Sequence, residues 1–222
     1  MPAVTALVPQ LGVRGVLLVY LDGSFAFSIR RQTVRDAGVF VGQRLSDDDV
    51  TALRASDMLA GALQMAYKFL SHRPRTEAEV KDRLRKSRVP APVAEQVVLR
   101  LKELRFLDDA AFAQQWTENR TLQRPRARQV VKWELRQKGI DPEVADAVTG
   151  DLDDVATAYR AGARRVQRMT ESDYPSFRKR LGGFLLRRGF SYDISTRTVD
   201  RLWNERPAAG EDGGHGGLDD DR

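Results

Sequence analysis

Arg128, Lys132 and Arg136 stand four residues apart, so on a helix they form one basic stripe, and two Arg-Pro-Arg triplets, Arg73-Pro-Arg75 and Arg124-Pro-Arg126, recur at an offset of 51 residues. The planar guanidinium fork pairs with phosphate or carboxylate oxygens, so these residues could recognise an anionic surface. The equivalent stripe positions are Glu77, Lys81 and Arg85 upstream and Arg178, Gly182 and Leu186 downstream, making the stripe strong in the middle copy, partial in the first and weak in the third. A charge run also serves as a solvated helix face. Proline at a helix start accounts for Pro74 and Pro125, but not for the arginines around them.

Chemistry of other kinds lacks its residues. There is no glycine-rich loop ending in Gly-Lys-Ser or Gly-Lys-Thr, no dinucleotide fingerprint and no serine elbow. The chain has 0 cysteines, and its 2 histidines, His72 and His215, are isolated, which excludes thiolate and histidine-based metal centres. Asp108-Asp109 and the acids among residues 151–154 could be imagined as metal-binding carboxylates, but they sit at repeat junctions, where aspartate caps helices. The chain is therefore expected to be no enzyme and to need no cofactor.

Charge is distributed unevenly. Six acids against two bases leave −4 over residues 204–222, and six arginines balance six aspartates in residues 1–57, so residues 58–203 carry +10 of the overall +6. That sign favours a polyanion, whether nucleic acid or an acidic protein face. Residues 1–20 have no basic leader segment and no apolar run reaches membrane-span length, so a cytoplasmic, membrane-independent protein is expected.

The elements that must position the basic residues begin after residue 45. Before it, Val16-Leu-Leu-Val-Tyr20 and Phe25-Ala-Phe-Ser-Ile29 read as strands around an Asp22-Gly23 turn, with residues 4–8 or 39–45 completing a small sheet. Ser46 followed by three aspartates predicts a helix start. Beyond it the chain repeats. Leu84, Leu135 and Leu185 are separated by 51 and 50 residues. Around them Val80, Val131 and Leu181 (−4), Val89, Ile140 and Phe190 (+5), Val93, Val144 and Ile194 (+9), and Leu101, Leu152 and Leu202 (+17) are apolar, as are Val97 and Val148 at +13, where Thr198 is the exception. Positions −4 and 0 share one helical face, +9 to +17 a face of the next helix, and +5 the turn between. Lys138-Gly139 and Arg188-Gly189 supply the left-handed turn residue, whereas Arg88 stands there in the first copy, which leaves either a left-handed arginine or a different turn. A further helix precedes each pair, at residues 62–70, 111–120 and 155–168.

The expected fold is mainly α: a tandem array of three three-helix, helix-turn-helix-like repeats (about 56–107, 108–153 and 154–203 within 46–203), preceded by a small β-hairpin-containing region at 1–45 and followed by a disordered acidic, glycine-rich tail at 204–222. The second helix of such a pair can read a DNA major groove, but Trp133 and Leu186 on these helices, and a pattern shared by three units, fit scaffold packing equally well. Phe69, Phe106, Phe112 and Phe184 lie at core-like spacing and suggest no base-stacking platform.

Arg73-Pro-Arg-Thr-Glu-Ala-Glu-Val80, Leu104-Arg-Phe-Leu-Asp-Asp-Ala-Ala-Phe-Ala113, Trp133-Glu-Leu-Arg-Gln-Lys-Gly-Ile-Asp141 and Leu185-Leu-Arg-Arg-Gly-Phe-Ser191, with Tyr20-Leu-Asp-Gly-Ser-Phe-Ala-Phe27, together resemble the successive signatures of the RecX family. Arg88, Arg105 and Ala127 stand where that family often has glycine. The resemblance implies three three-helix repeats and a modulator, usually an inhibitor, of the recombinase RecA in DNA repair, homologous recombination and the SOS response. Such a modulator lies in the groove of the RecA–DNA filament. The candidate contacts are Arg73, Arg75, Lys81, Arg85, Arg124, Arg126, Arg128, Lys132, Arg136, Lys138, Arg187 and Arg188. A monomer with weak, sequence-tolerant DNA binding is expected. A helix-turn-helix transcription factor is the alternative, and an unrecognised enzyme a third class.

Overall fold

A computed structural model describes residues 1–206; the expected tail lies outside the described residues from position 207 onward. Three strands, β1 (Val4–Pro9), β2 (Val16–Leu21) and β3 (Ser24–Arg30), form an antiparallel sheet in sequence order. Asp22 (φ 47°) and Gly23 (φ 83°) are both left-handed, as a two-residue hairpin turn requires for the strand twist. Leu17 pairs with Ile29 and Val19 with Phe27, which puts four apolar side chains on one buried face. Of the two segments proposed to complete the sheet, residues 4–8 do so as β1, whereas the second contributes only an isolated bridge between Ala3 and Arg44.

The N-terminal region also contains a short helix that the hydrophobic pattern did not reveal, α1 (Arg31–Asp36). It is fastened by Asp57, whose carboxylate accepts from the Arg30 backbone N–H (2.8 Å), the Thr33 hydroxyl (2.8 Å) and the Arg30 guanidinium (2.7 Å). The guanidinium crosses directly over Gly61, where a Cβ would fall 2.1 Å from it.

Ser46 starts α2 (Asp47–Leu70) through a reciprocal capping box with Asp49. The helix predicted at 62–70 is thus the second half of a 24-residue helix. With α3 (Glu77–Lys86) and α4 (Ala91–Glu103) it makes the first three-helix repeat, and Val80, Leu84, Val97 and Leu101 are fully buried in its core. This repeat and the sheet form one compact unit, residues 1–108.

The second unit begins at Asp109 and holds both remaining repeats. Helices α5 (Asp109–Leu122), α6 (Arg128–Gln137) and α7 (Pro142–Thr149) pack around Val131, Leu135 and Ile140. Helices α8 (Asp154–Val166), α9 (Tyr174–Leu186) and α10 (Tyr192–Asn204) pack around Phe177, Leu181 and Leu185. The exceptional Thr198 is buried like Val97, whereas Val148 at the same position is half-buried. Leu152 departs from the predicted helix, because α7 ends at Thr149 and Asp153 already caps α8 by accepting from the N–H groups of Val155 and Ala156. Phe106 departs from the core reading: it is 57% exposed, with an edge-on contact to Tyr67. At the far end, α10 runs through Asn204, and the Glu205 carboxylate accepts from the Tyr159 hydroxyl and Arg201, so these first residues of the expected tail are structured.

The second and third repeats interlock. Ala127 is buried in the third repeat's core, and its N–H donates to the Arg188 carbonyl (3.1 Å). Gly189, at φ 89°, could not be larger: a Cβ there would sit 2.2 Å from Val130 Cγ2. Asp154 at the start of α8 accepts from the first N–H of α6, that of Arg128 (2.7 Å). The clustered aspartates of residues 151–154 therefore terminate helices in two repeats.

Candidate polyanion-binding face

In the first repeat, Arg73 grips the capping-box carboxylate of Glu79 with both terminal nitrogens (2.8 and 3.3 Å). Arg75 turns the other way and lays its guanidinium 4.0 Å over the Phe69 ring. Burial, and then the charge of Arg73, hold its pKa below the ordinary arginine value. Lys81 bridges to Glu95 on α4 (2.8 Å), and Arg85 shares Asp82 with Lys86. Hydrogen bonds from Lys86 and then Arg85 lower the Asp82 carboxyl pKa.

In the second repeat the Arg-Pro-Arg triplet is spaced the same and partnered differently. Arg124 is exposed, with no side-chain hydrogen bond or ion pair among the described residues. Arg126 reaches Glu134 (3.4 Å), which also accepts from Arg120 Nε (2.5 Å) and the Trp116 indole N–H (2.9 Å). Lys138 lies 4.4 Å over the Trp116 ring. The stripe shares a face as its spacing requires, but it faces α7: Lys132 (2.5 Å) and Arg136 (3.5 Å) meet the single carboxylate of Asp146, and Arg128 donates to the Gly150 carbonyl (3.1 Å).

One of these bridges repeats. Lys81–Glu95 and Lys132–Asp146 occupy the same repeat positions and strap the second helix of each repeat to the third. In the third repeat those positions are Gly182 and Thr196, and an apolar groove of about 500 Å³ opens between α9 and α10, with both residues in its lining. Arg187 is exposed, without a side-chain hydrogen bond or ion pair among the described residues. Arg188 is half-buried instead, donating to the Pro125 carbonyl (2.8 Å) from 4.4 Å above the Phe184 ring. It joins two repeats as well as adding charge.

Sequence reasoning missed a second stripe. Arg160, Arg164 and Arg168 have the same four-residue spacing as Arg128, Lys132 and Arg136, and lie on or just beyond α8. Arg160 donates to the Thr121 carbonyl (2.8 Å) and Arg164 to that of Leu122 (2.8 Å), closing the C-terminal end of α5. The spacing was visible; its target, in another repeat, was not. Surface ion pairs such as Lys81–Glu95 and Lys132–Asp146 contribute at most about 1 kcal/mol, so an external anion can take over such cations at small cost. Among the described residues no helix is long and apolar enough to cross a membrane.

Family models describe the same three units: RecX first three-helix domain matches residues 62–101, the second 108–148 and the third 152–199. The regulatory protein RecX of Lacticaseibacillus casei (strain BL23) is 31% identical over 200 residues, covering 87% of this chain and 74% of that protein. The one from Streptomyces lividans is 34% identical over 162 residues, 72% of this chain and 85% of the relative. That of Bacillus subtilis (strain 168) is 27% identical over 207 residues, 91% and 78% of the two chains. A crystal structure of a regulatory protein RecX shares the fold at a TM-score of 0.64 and 21% identity, covering 90% of this chain and 100% of that one. The RecX of Lactobacillus salivarius does so at 0.56 and 23%, over 67% and 99%.

Proposed function

The chain belongs to the RecX family of regulatory proteins, and from that premise we propose that it modulates the recombinase RecA, in the inhibitory sense, by binding the RecA–DNA filament through its basic residues, in the cytoplasm and without turnover of its own. The observation that carries this reading is the ordered succession of three RecX three-helix domains along one chain. The charge pattern supports it. Two cations share Asp146, and Arg124 and Arg187 are exposed without an internal partner among the described residues, so individual cations of the second and third repeats are left for an external anion. Many modest contacts of this kind combine along an extended partner.

The test is to add the protein to RecA on single-stranded DNA and follow ATP hydrolysis. The parent should depress hydrolysis, and Arg124→Glu with Arg187→Glu should weaken the effect by about tenfold in the concentration required, while leaving the circular dichroism spectrum unchanged. Charge reversal at Lys132 or Arg136 would instead set a like charge against Asp146 and mix repulsion between α6 and α7 with any loss of binding. No response of hydrolysis to the parent protein would overturn the reading. Tight binding to one duplex sequence, lost on single base changes, would favour the transcription-factor alternative.

A further inference from the structure

Where the second and third repeats interlock, a cavity of about 350 Å³ is lined by Arg164, Arg165, Arg168 and Arg188, with Gln123 and Phe184, and no carboxylate is among its lining residues. Several other arginines of the same unit meet acids: Arg120 and Arg126 meet Glu134, Arg180 meets Glu171, and Arg201 meets Glu205. Here four arginines line one cavity without one. Arg164 and Arg188 each spend a terminal nitrogen on carbonyls of residues 122–125 and keep further N–H donors. Arg165 stands 5.6 Å from the Phe184 centroid, with its Nε buried and unbonded. Arg168 is exposed and has no side-chain hydrogen bond or ion pair among the described residues. Burial, followed by the neighbouring charge of Arg126, lowers the Arg188 pKa, which marks the site as one where positive charge is held at a cost.

Closing the end of α5 explains Arg164, and bracing the loop explains Arg188. The helix dipole favours cations in the last turn of α8, but it does not account for four of them around one cavity. We propose that this cavity is a phosphate-binding site, in which the donors left over on Arg164, Arg165, Arg168 and Arg188 surround one tetrahedral oxyanion. The phosphate is either a diester of a nucleic-acid strand or a free inorganic or nucleotide phosphate. This deepens the reading of a polyanionic partner, but its test contains no recombinase, so failure of either can be told from failure of the other.

The full chain is titrated with pyrophosphate, and thermal unfolding is compared with sodium chloride at matched ionic strength. The parent should be stabilised by pyrophosphate beyond the salt effect, and Arg165→Gln with Arg168→Gln should weaken pyrophosphate binding at least about tenfold. If the double variant does not fold, Arg168→Gln alone, at an exposed position, should still weaken binding measurably. A short single-stranded oligonucleotide that competes with pyrophosphate identifies the strand backbone as the source; absence of competition identifies free phosphate, and both support the site. Pyrophosphate acting no differently from chloride, or variants binding it as the parent does, would overturn the proposal.

Discussion

Glu134, 14% exposed, accepts from the Trp116 indole and from the guanidiniums of Arg120 and Arg126 with one carboxylate. Removing it strands the largely buried Arg120 without a counter-charge. Glu134→Ala should therefore lower unfolding stability by about 3 kcal/mol, read as a shifted urea midpoint at unchanged slope, and Glu134→Gln by less because its amide oxygen still accepts. This cluster was not legible in the sequence: Trp116 and Arg120 share a face of α5, but Glu134 is brought to them from α6 by folding. The Ser46–Asp49 capping box, by contrast, is written in four consecutive residues and was read as a helix start. Its hydrogen bonds, from the Ser46 backbone N–H first and the Ser46 side chain second, hold the Asp49 pKa below the ordinary aspartate value. A depressed folded-state pKa means stability that is present above the unfolded value and lost as pH falls through the folded one. The stability gap between the parent and Asp49→Asn, tracked by chemical unfolding, should accordingly narrow on acidification through that window and not on raising the pH above neutrality.

Among the elements, the inter-helix turns were the most legible, because Gly139 and Gly189 recur at a fixed repeat position and that position needs left-handed backbone. The first copy resolves the choice left open by its sequence: Arg88 adopts the same conformation, at φ 61°. Opposite substitutions should thus have opposite signs. Arg88→Gly should raise stability by about 1 kcal/mol by removing the strain of a side chain at positive φ. Gly189→Ala should lower it by more than about 2 kcal/mol, since it meets both the conformational penalty and Val130. Paired thermal melts of the two variants check both. Helix α1 escaped because six residues are too few for a periodic signal, and its anchor, Asp57, lies on another helix. The end of α7 was placed too late because Leu152 continues the apolar pattern while Gly150 and the Asp153 cap end the helix first.

For the molecule as a whole, the repeat offsets disclosed three three-helix units and the hairpin disclosed the sheet, because both rest on hydrophobic patterning along the chain. The state of each cation was not legible, because it depends on acids brought in by folding. Lys132 and Arg136 read as an open stripe and stand on Asp146; Arg164 and Arg168, unremarked in sequence, line a cavity free of carboxylates. The missing strap at Gly182 and Thr196 bears on a hazard common to tandem repeats, in which a helix from one copy docks on its sibling's partner during folding. Were α6 to pair with α10, Lys132 would face Thr196; were α9 to pair with α7, Asp146 would face Gly182. Either wrong match forfeits the Lys132–Asp146 pair, so the inequality between copies would act as an address label for helices of nearly interchangeable shape. Engineering Gly182→Lys together with Thr196→Asp would erase the label, and refolding from urea should then return a smaller correctly assembled fraction, with the shortfall recovered as swapped dimers on size-exclusion chromatography; an undiminished monomer yield would show that the copies are told apart by other means.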